Sequence, residues 1–134
     1  MTTCVLDADV VIAALDRADA HHGAAVRAVT RMLDEGTGML LSVVNYAEAL
    51  VRPAERDDSF RAAVAGIDAL GLELVPPTPA VAREAARLRN AGISLPDGFA
   101  VATAVTRGAS LIAFDARVRR IARKEGVQLQ PSSR

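Results

Sequence analysis

Four short apolar runs alternate along the chain with longer segments whose apolar residues recur at helical spacing. The runs are Cys4-Val5-Leu6, Met39-Leu40-Leu41, Glu73-Leu74-Val75 and Leu111-Ile112-Ala113-Phe114. Runs this short suit strands buried on both faces, and the intervening helices suit the crossovers a parallel sheet requires. Val127-Gln128-Leu129 reads as a fifth strand. The expectation is an α/β fold: a three-layer α/β/α domain around a central, mainly parallel sheet of four to five strands. A chain of 134 residues supports one core of this kind and not two. Residues 1–130 are therefore expected to form a single domain, with 131–134 as a C-terminal tail.

Local signals place the helices. Asp9 suits the cap of a helix through Val10, Val11, Ala14 and Leu15. A second helix is expected over Ala20 to Glu35, with Ala25, Val29, Met32 and Leu33 on its apolar face and Gly36 as its stop. A third runs from about Val43 to Arg52, where Pro53 ends it. A fourth covers Ser59 to Leu70, with Phe60, Val64, Ile67 and Leu70 at helical spacing. Thr78-Pro79 starts a fifth, Asp97 a sixth that Gly108 ends, and Arg117 to Glu125 forms the last.

Composition excludes several classes. Hydrophobic residues make up 51% of the chain, and the 16 basic residues balance 16 acidic ones. A disordered chain needs fewer apolar residues, and a basic nucleic-acid coat needs net positive charge. The single cysteine, Cys4, excludes an internal disulfide and a cysteine zinc site, and it suits the core. Val5 to Leu15 is apolar but carries Asp7 and Asp9, and no basic segment precedes it, so neither a signal peptide nor a membrane span is expected. The cytoplasm is the default location.

The acids carry the chemistry. In an open parallel sheet, ligands bind beyond the carboxyl ends of the strands, where the strand order reverses. Asp7 ends the first strand and Asp115 the fourth. Asp97 begins the helix that leads back into the fourth strand, so it lies at the same edge. Glu48 lies in the helix after the second strand, in line with Asn45 and Arg52. Two unit charges ~4 Å apart repel by roughly 4 kcal/mol at an effective dielectric near 20. A rim of such groups needs protons, arginines or a metal ion. With oxygen donors alone, the ion is a hard divalent cation, Mg²⁺ or Mn²⁺, and the chemistry it serves is attack of water on a phosphodiester.

Four stretches carry a resemblance. They are Val5 to Leu15, Ser42-Val43-Val44-Asn45-Tyr46-Ala47-Glu48-Ala49-Leu50, Leu95-Pro96-Asp97-Gly98-Phe99-Ala100-Val101-Ala102-Thr103-Ala104, and Gly108 to Asp115. Together, in this order, they resemble PIN-domain ribonucleases of the VapC-like toxin type, over nearly the whole chain. The resemblance implies that Asp7, Glu48, Asp97 and Asp115 are the catalytic, metal-binding acids. It also implies Mg²⁺- or Mn²⁺-dependent cleavage of RNA, a homodimer and neutralisation by a cognate antitoxin. Asp9 stands where the family usually has Asn, which adds a carboxylate that reaches the metal directly or through water. Ala113 stands where a Ser or Thr hydroxyl often precedes the last acid by two residues.

Other readings compete for the same residues. Asp9, Asp97 and Asp115 each suit a helix cap, and Glu48 suits an exposed helix position; Asp7 is the hardest to explain by structure alone. Arg117, Arg119, Arg120, Arg123 and Lys124 suit either phosphate steering or a solvated face. His21-His22 reads as a cap or surface pair, and Tyr46, Phe60, Phe99 and Phe114 as core. With so few aromatic residues, a base-stacking platform is not expected. A haloacid-dehalogenase-like phosphatase would explain Asp7-Ala8-Asp9-Val10 but needs a suitably placed Lys, and Lys124 is the only one. A receiver-like phosphoacceptor needs an Asp after the third strand, where Pro76-Pro77 follows instead. A degenerate PIN scaffold that only binds a partner would not retain every acid.

Overall fold

The computed structural model describes residues 2–130; the expected tail, 131–134, lies outside them. Strand β1 (Thr3–Leu6) is followed by helices α1 (Ala8–Leu15) and α2 (His22–Asp34), then β2 (Gly38–Ser42), α3 (Val43–Leu50), a 3₁₀ turn (Pro53–Glu55) and α4 (Asp57–Ala69). The second half runs through β3 (Glu73–Val75), α5 (Pro79–Arg89), α6 (Leu95–Arg107), β4 (Ser110–Ile112) and α7 (Ala116–Lys124). The sheet has the order β3-β2-β1-β4, and every pairing in it is parallel.

Alternation along the strands divides the core into two layers. Val5, Leu40 and Leu111 face Leu88, Val101, Val118 and Ile121 of α5, α6 and α7. Cys4, Leu6, Leu41 and Ile112 face Val10, Val29, Met32 and Ile67 of α1, α2 and α4. Helices therefore cover both faces, as the uninterrupted apolar strands require.

Several expectations are corrected. The fifth strand is a single bridge, Leu111 to Leu129: on this side of β4 only Leu111 exchanges backbone bonds, with Gln128 and Gln130. The cap of α1 is Asp7, not Asp9, and the cap of α6 is Ser94, not Asp97. Helix α3 ends at Leu50, two residues before Arg52, and Pro53 opens the 3₁₀ turn. Leu33 and Phe60, expected in the core, are exposed, at 57% and 38%.

Chain direction reverses beside β1. The path β1-β2-β3 builds outward on one side, and β4 returns to the other. The switch point thus lies between the carboxyl ends of β1 and β4, next to Asp7 and Asp115.

Candidate active site

Asp7 is the centre of the arrangement. Its amide donates to the Ile112 carbonyl at 3.0 Å, which carries the β1–β4 pairing one residue past the strands. Its Oδ1 accepts from the Ala8 amide at 2.9 Å, so the same carboxyl caps α1. Only 1% of Asp7 is exposed. Burial, repulsion from Asp9 and Asp97, and a hydrogen bond to the Asp97 carboxyl hold its pKa well above the usual carboxylate range.

Asp9 sits in the first turn of α1 and reaches across the switch point. Its Oδ2 accepts from the Phe114 amide at 3.1 Å, while its Oδ1 is buried and unpartnered. Desolvation raises its pKa, and the amide bonds from Phe114 and Asp115 oppose that rise. Because Ser94 takes the capping role in α6, accepting from the Asp97 amide, the Asp97 carboxyl is left to meet Asp7.

Glu48 approaches from α3, half-buried. Desolvation raises its pKa, Asn45 counters this, and the charges of Asp97 and Asp9 raise it further. Asn45 was noted in the sequence only for its spacing from Glu48. It is fully buried, and its Nδ2 donates to the Pro96 carbonyl at 3.0 Å and weakly to Glu48 at 3.5 Å. One amide thus ties the helix of Glu48 to the first turn of the helix of Asp97. The Oδ1 of Asn45 is buried and without a partner.

Asp115 lies at the same edge but is exposed. Its Oδ1 accepts from the amides of Arg117 and Val118 at 2.8 and 3.1 Å, so that oxygen caps α7, as its alternative reading anticipated. The structure therefore brings Asp7, Asp9, Asp97 and Glu48 within mutual electrostatic reach, and sets Asp115 beside them through its backbone. Among the described residues, no three acid, imidazole or thiol groups are set closely enough to hold an ion by themselves.

No cation neutralises this edge from within. The ion pairs among the described residues are Arg56–Asp58, Arg87–Glu84, Arg87–Glu125 and Arg107–Glu73, none of which touches the cluster. In the basic run, Arg117 donates to the Gly92 carbonyl and Arg119 to the Ala113 carbonyl; Arg120, Arg123 and Lys124 are exposed. Glu48 also borders a groove of about 1010 Å³ lined by Ile12, Leu15, Val51 and Pro53. Among the described residues, no helix is long and apolar enough to cross a membrane.

Comparison with known proteins agrees with this architecture. No curated protein matches the sequence. The fold is similar to that of VapBC2 from Rickettsia felis, solved with a promoter DNA fragment, at a TM-score of 0.72 and 14% identity over 96% of this chain and 98% of that one. VapC20 from Mycobacterium tuberculosis, a Sarcin-Ricin loop cleaving toxin, gives 0.70 and 19% identity over 88% of this chain and 94% of its own. FitAcB from Neisseria gonorrhoeae gives 0.70 and 19% over 94% and 95%. A PIN domain profile matches residues 4–124, and on that match, over most of its length, the chain belongs to the PIN domain family.

Proposed function

We propose that this protein is a divalent-metal-dependent ribonuclease and the toxin of a toxin–antitoxin pair. RNA is its substrate, a cognate antitoxin its partner, a homodimer its working form and the cytoplasm its location. One observation carries the chemistry: Asp7, almost wholly buried, faces two further carboxyls at the switch point, and among the described residues no arginine or lysine pairs with them. An enzyme that keeps so unfavourable a cluster uses it for a cation. Neighbours in fold from VapBC and FitAB structures, one of them a Sarcin-Ricin loop cleaving toxin, support the biological setting.

The donors fit Mg²⁺ or Mn²⁺ in kind. They are all oxygens, and two of them, Asp9 Oδ1 and Asn45 Oδ1, are buried acceptors without a partner. They fit in number as well, because Mg²⁺ takes one or two carboxylates and completes its shell with water and substrate phosphate. Asp7 and Asp97 are the proposed primary ligands, with Asp9, Glu48 and the free oxygen of Asp115 closing the edge. When bound, the ion supplies an acidified water and neutralises charge on the leaving oxygen. Asp7 would hold the ion as a carboxylate, which would couple occupancy to pH. Glu48, with its raised proton affinity, is suited to accept a proton from the attacking water. The products are a 5′-phosphate and a 3′-hydroxyl.

The phosphatase alternative lacks its lysine. Lys124 is exposed at the far end of α7, a helix whose nine residues carry it roughly 13 Å from the rim.

The test is cleavage mapping on total RNA with Mg²⁺ or Mn²⁺, with and without chelator. Cleavage is expected to stop in chelator and in Asp7→Asn, in which the amide oxygen still caps α1. Undiminished cutting in either case overturns the mechanism. Expression alone should arrest growth, and coexpression of the antitoxin should relieve it; growth unaffected by soluble protein counts against the toxin role.

A further inference from the structure

The connection between α1 and α2 brings a different kind of group to the catalytic edge. The His21 imidazole lies flat against the Phe114 ring, with centroids 4.5 Å apart and planes 17° from parallel. Phe114 directly precedes Asp115, and its amide is the donor held by Asp9. Its ring is half-buried against the α1–α2 layer of the core. Nothing in the sequence couples positions 21 and 114.

This stack is not explained by capping. His21 stands at the N-terminus of α2 but makes no capping hydrogen bond with its side chain. It is exposed, so one face of the imidazole rests on Phe114 and the ring still meets solvent. The loop that presents it is firmly held. Asp16 Oδ1 accepts from the Ala18 amide at 2.9 Å, and Asp19 Oδ1 accepts from the His21 amide at 2.8 Å. His22, next in the chain, pins the loop to the end of α1 through Nδ1 and the Ala13 carbonyl at 2.7 Å. An exposed ring fixed in place loses little further freedom when a ligand covers it.

We infer that the His21–Phe114 stack is a nucleobase shelf, which takes by stacking one unpaired base of an RNA beside the bond to be cut. The inference rests on the ribonuclease reading above and deepens it. Stacking suits this place because every base presents a π face, whatever its sequence. The negative rim nearby repels phosphate until a cation is bound, so a stacking contact at its border holds the strand by a base face rather than by its phosphates. One shelf reads one position, which leaves the wider target to the shape of the RNA.

The probe is a single-stranded oligoribonucleotide carrying 2-aminopurine at successive positions, titrated with protein in the Asp7→Asn background so that it stays uncut. Fluorescence quenching is expected at one position. It should be lost in His21→Ala and His21→Gln and restored in His21→Tyr, which keeps an aromatic face. With native Asp7, His21→Ala should raise KM for RNA about tenfold and leave kcat within about twofold, whereas a loosened fold would lower both kcat and Tm. Equal quenching and equal KM in His21→Ala overturn the shelf while leaving the nuclease intact. If the parent protein cuts no RNA yet quenches in a His21-dependent way, the nuclease reading fails and the shelf stands as an RNA-binding site.

Discussion

Helices α4 and α6 are of equal length, 13 residues each, and both carry acid in the first turn, yet the fold uses them in opposite ways. Six residues of α6 are buried, and Gly98 lets it approach α5 so closely that a Cβ there would stand 2.9 Å from the Ala85 carbonyl oxygen. In α4 only Ile67 is buried, and Phe60 is exposed. The acid of α6, Asp97, meets another acid. The acids of α4 face water, and Asp58 is paired with Arg56 at 2.8 Å. The contrast separates two uses of the same local chemistry. An acid near a helix N-terminus is stabilising in itself; in α6 that acid also stands against a second, buried carboxyl, that of Asp7.

The largest effect that tests this contrast is on turnover. Asp97→Asn should reduce cleavage on the order of 10³-fold, whereas Asp58→Asn should leave it unchanged, as read by initial rates on the same RNA. If the two variants behave alike, the contrast is wrong.

Packing comes next. Gly98→Ala pushes a methyl group into backbone and should destabilise the fold by about 1–3 kcal/mol in urea unfolding, and cleavage should weaken as Asp97 shifts. In Gly66→Ala of α4 the new Cβ meets a neighbour at the same distance, 2.9 Å, but that neighbour is the tip of the Leu15 side chain, which can turn away. Its helix gain of roughly 0.5–1 kcal/mol over Gly should leave stability unchanged or slightly raised. Equal losses at the two glycines would remove the distinction.

The pH dependence of the metal-free protein sharpens the electrostatic half. An acid that holds its proton more tightly when folded favours the folded state at low pH. Stability should therefore fall as pH rises from the ordinary value of 3.8 through the raised pKa of Asp7. Asp7→Asn should flatten that slope and raise Tm at neutral pH by a few degrees, and Mg²⁺ should stabilise the parent more than the variant. Arg56 lowers the pKa of Asp58, which gives the opposite sign, stability gained as pH rises, but the exposed pair is screened by solvent. The smallest effect is expected from Phe60→Ser, within about 0.5 kcal/mol.

Much of this was legible in the sequence because strand burial and helix period are local signals. The four strands and seven helices were placed within a few residues, and Thr78-Pro79 marked its helix start correctly. What failed was decided by tertiary context. Asp7, rather than Asp9, caps α1 because the chain turns directly at the strand end, which frees Asp9 to bond the amide of Phe114, 105 positions away. Leu33 and Phe60 have helical spacing, but the described residues leave them 57% and 38% exposed. Asp7, Asp97 and Glu48 were readable as acids at one edge, yet the buried amide of Asn45 that joins two of their helices was visible only as an i−3 spacing. The His21–Phe114 contact left no trace in the sequence at all.

The two borders of the sheet differ in how much backbone they leave open. β3 is three residues long and carries exposed Glu73, and β4 is already bonded on its outer side by Gln128 and Gln130, which flank Leu129. The open border is thus only three residues long, and the other already has a neighbour. With helices over both faces of the sheet, what this domain presents to any other molecule is mostly side chains rather than backbone.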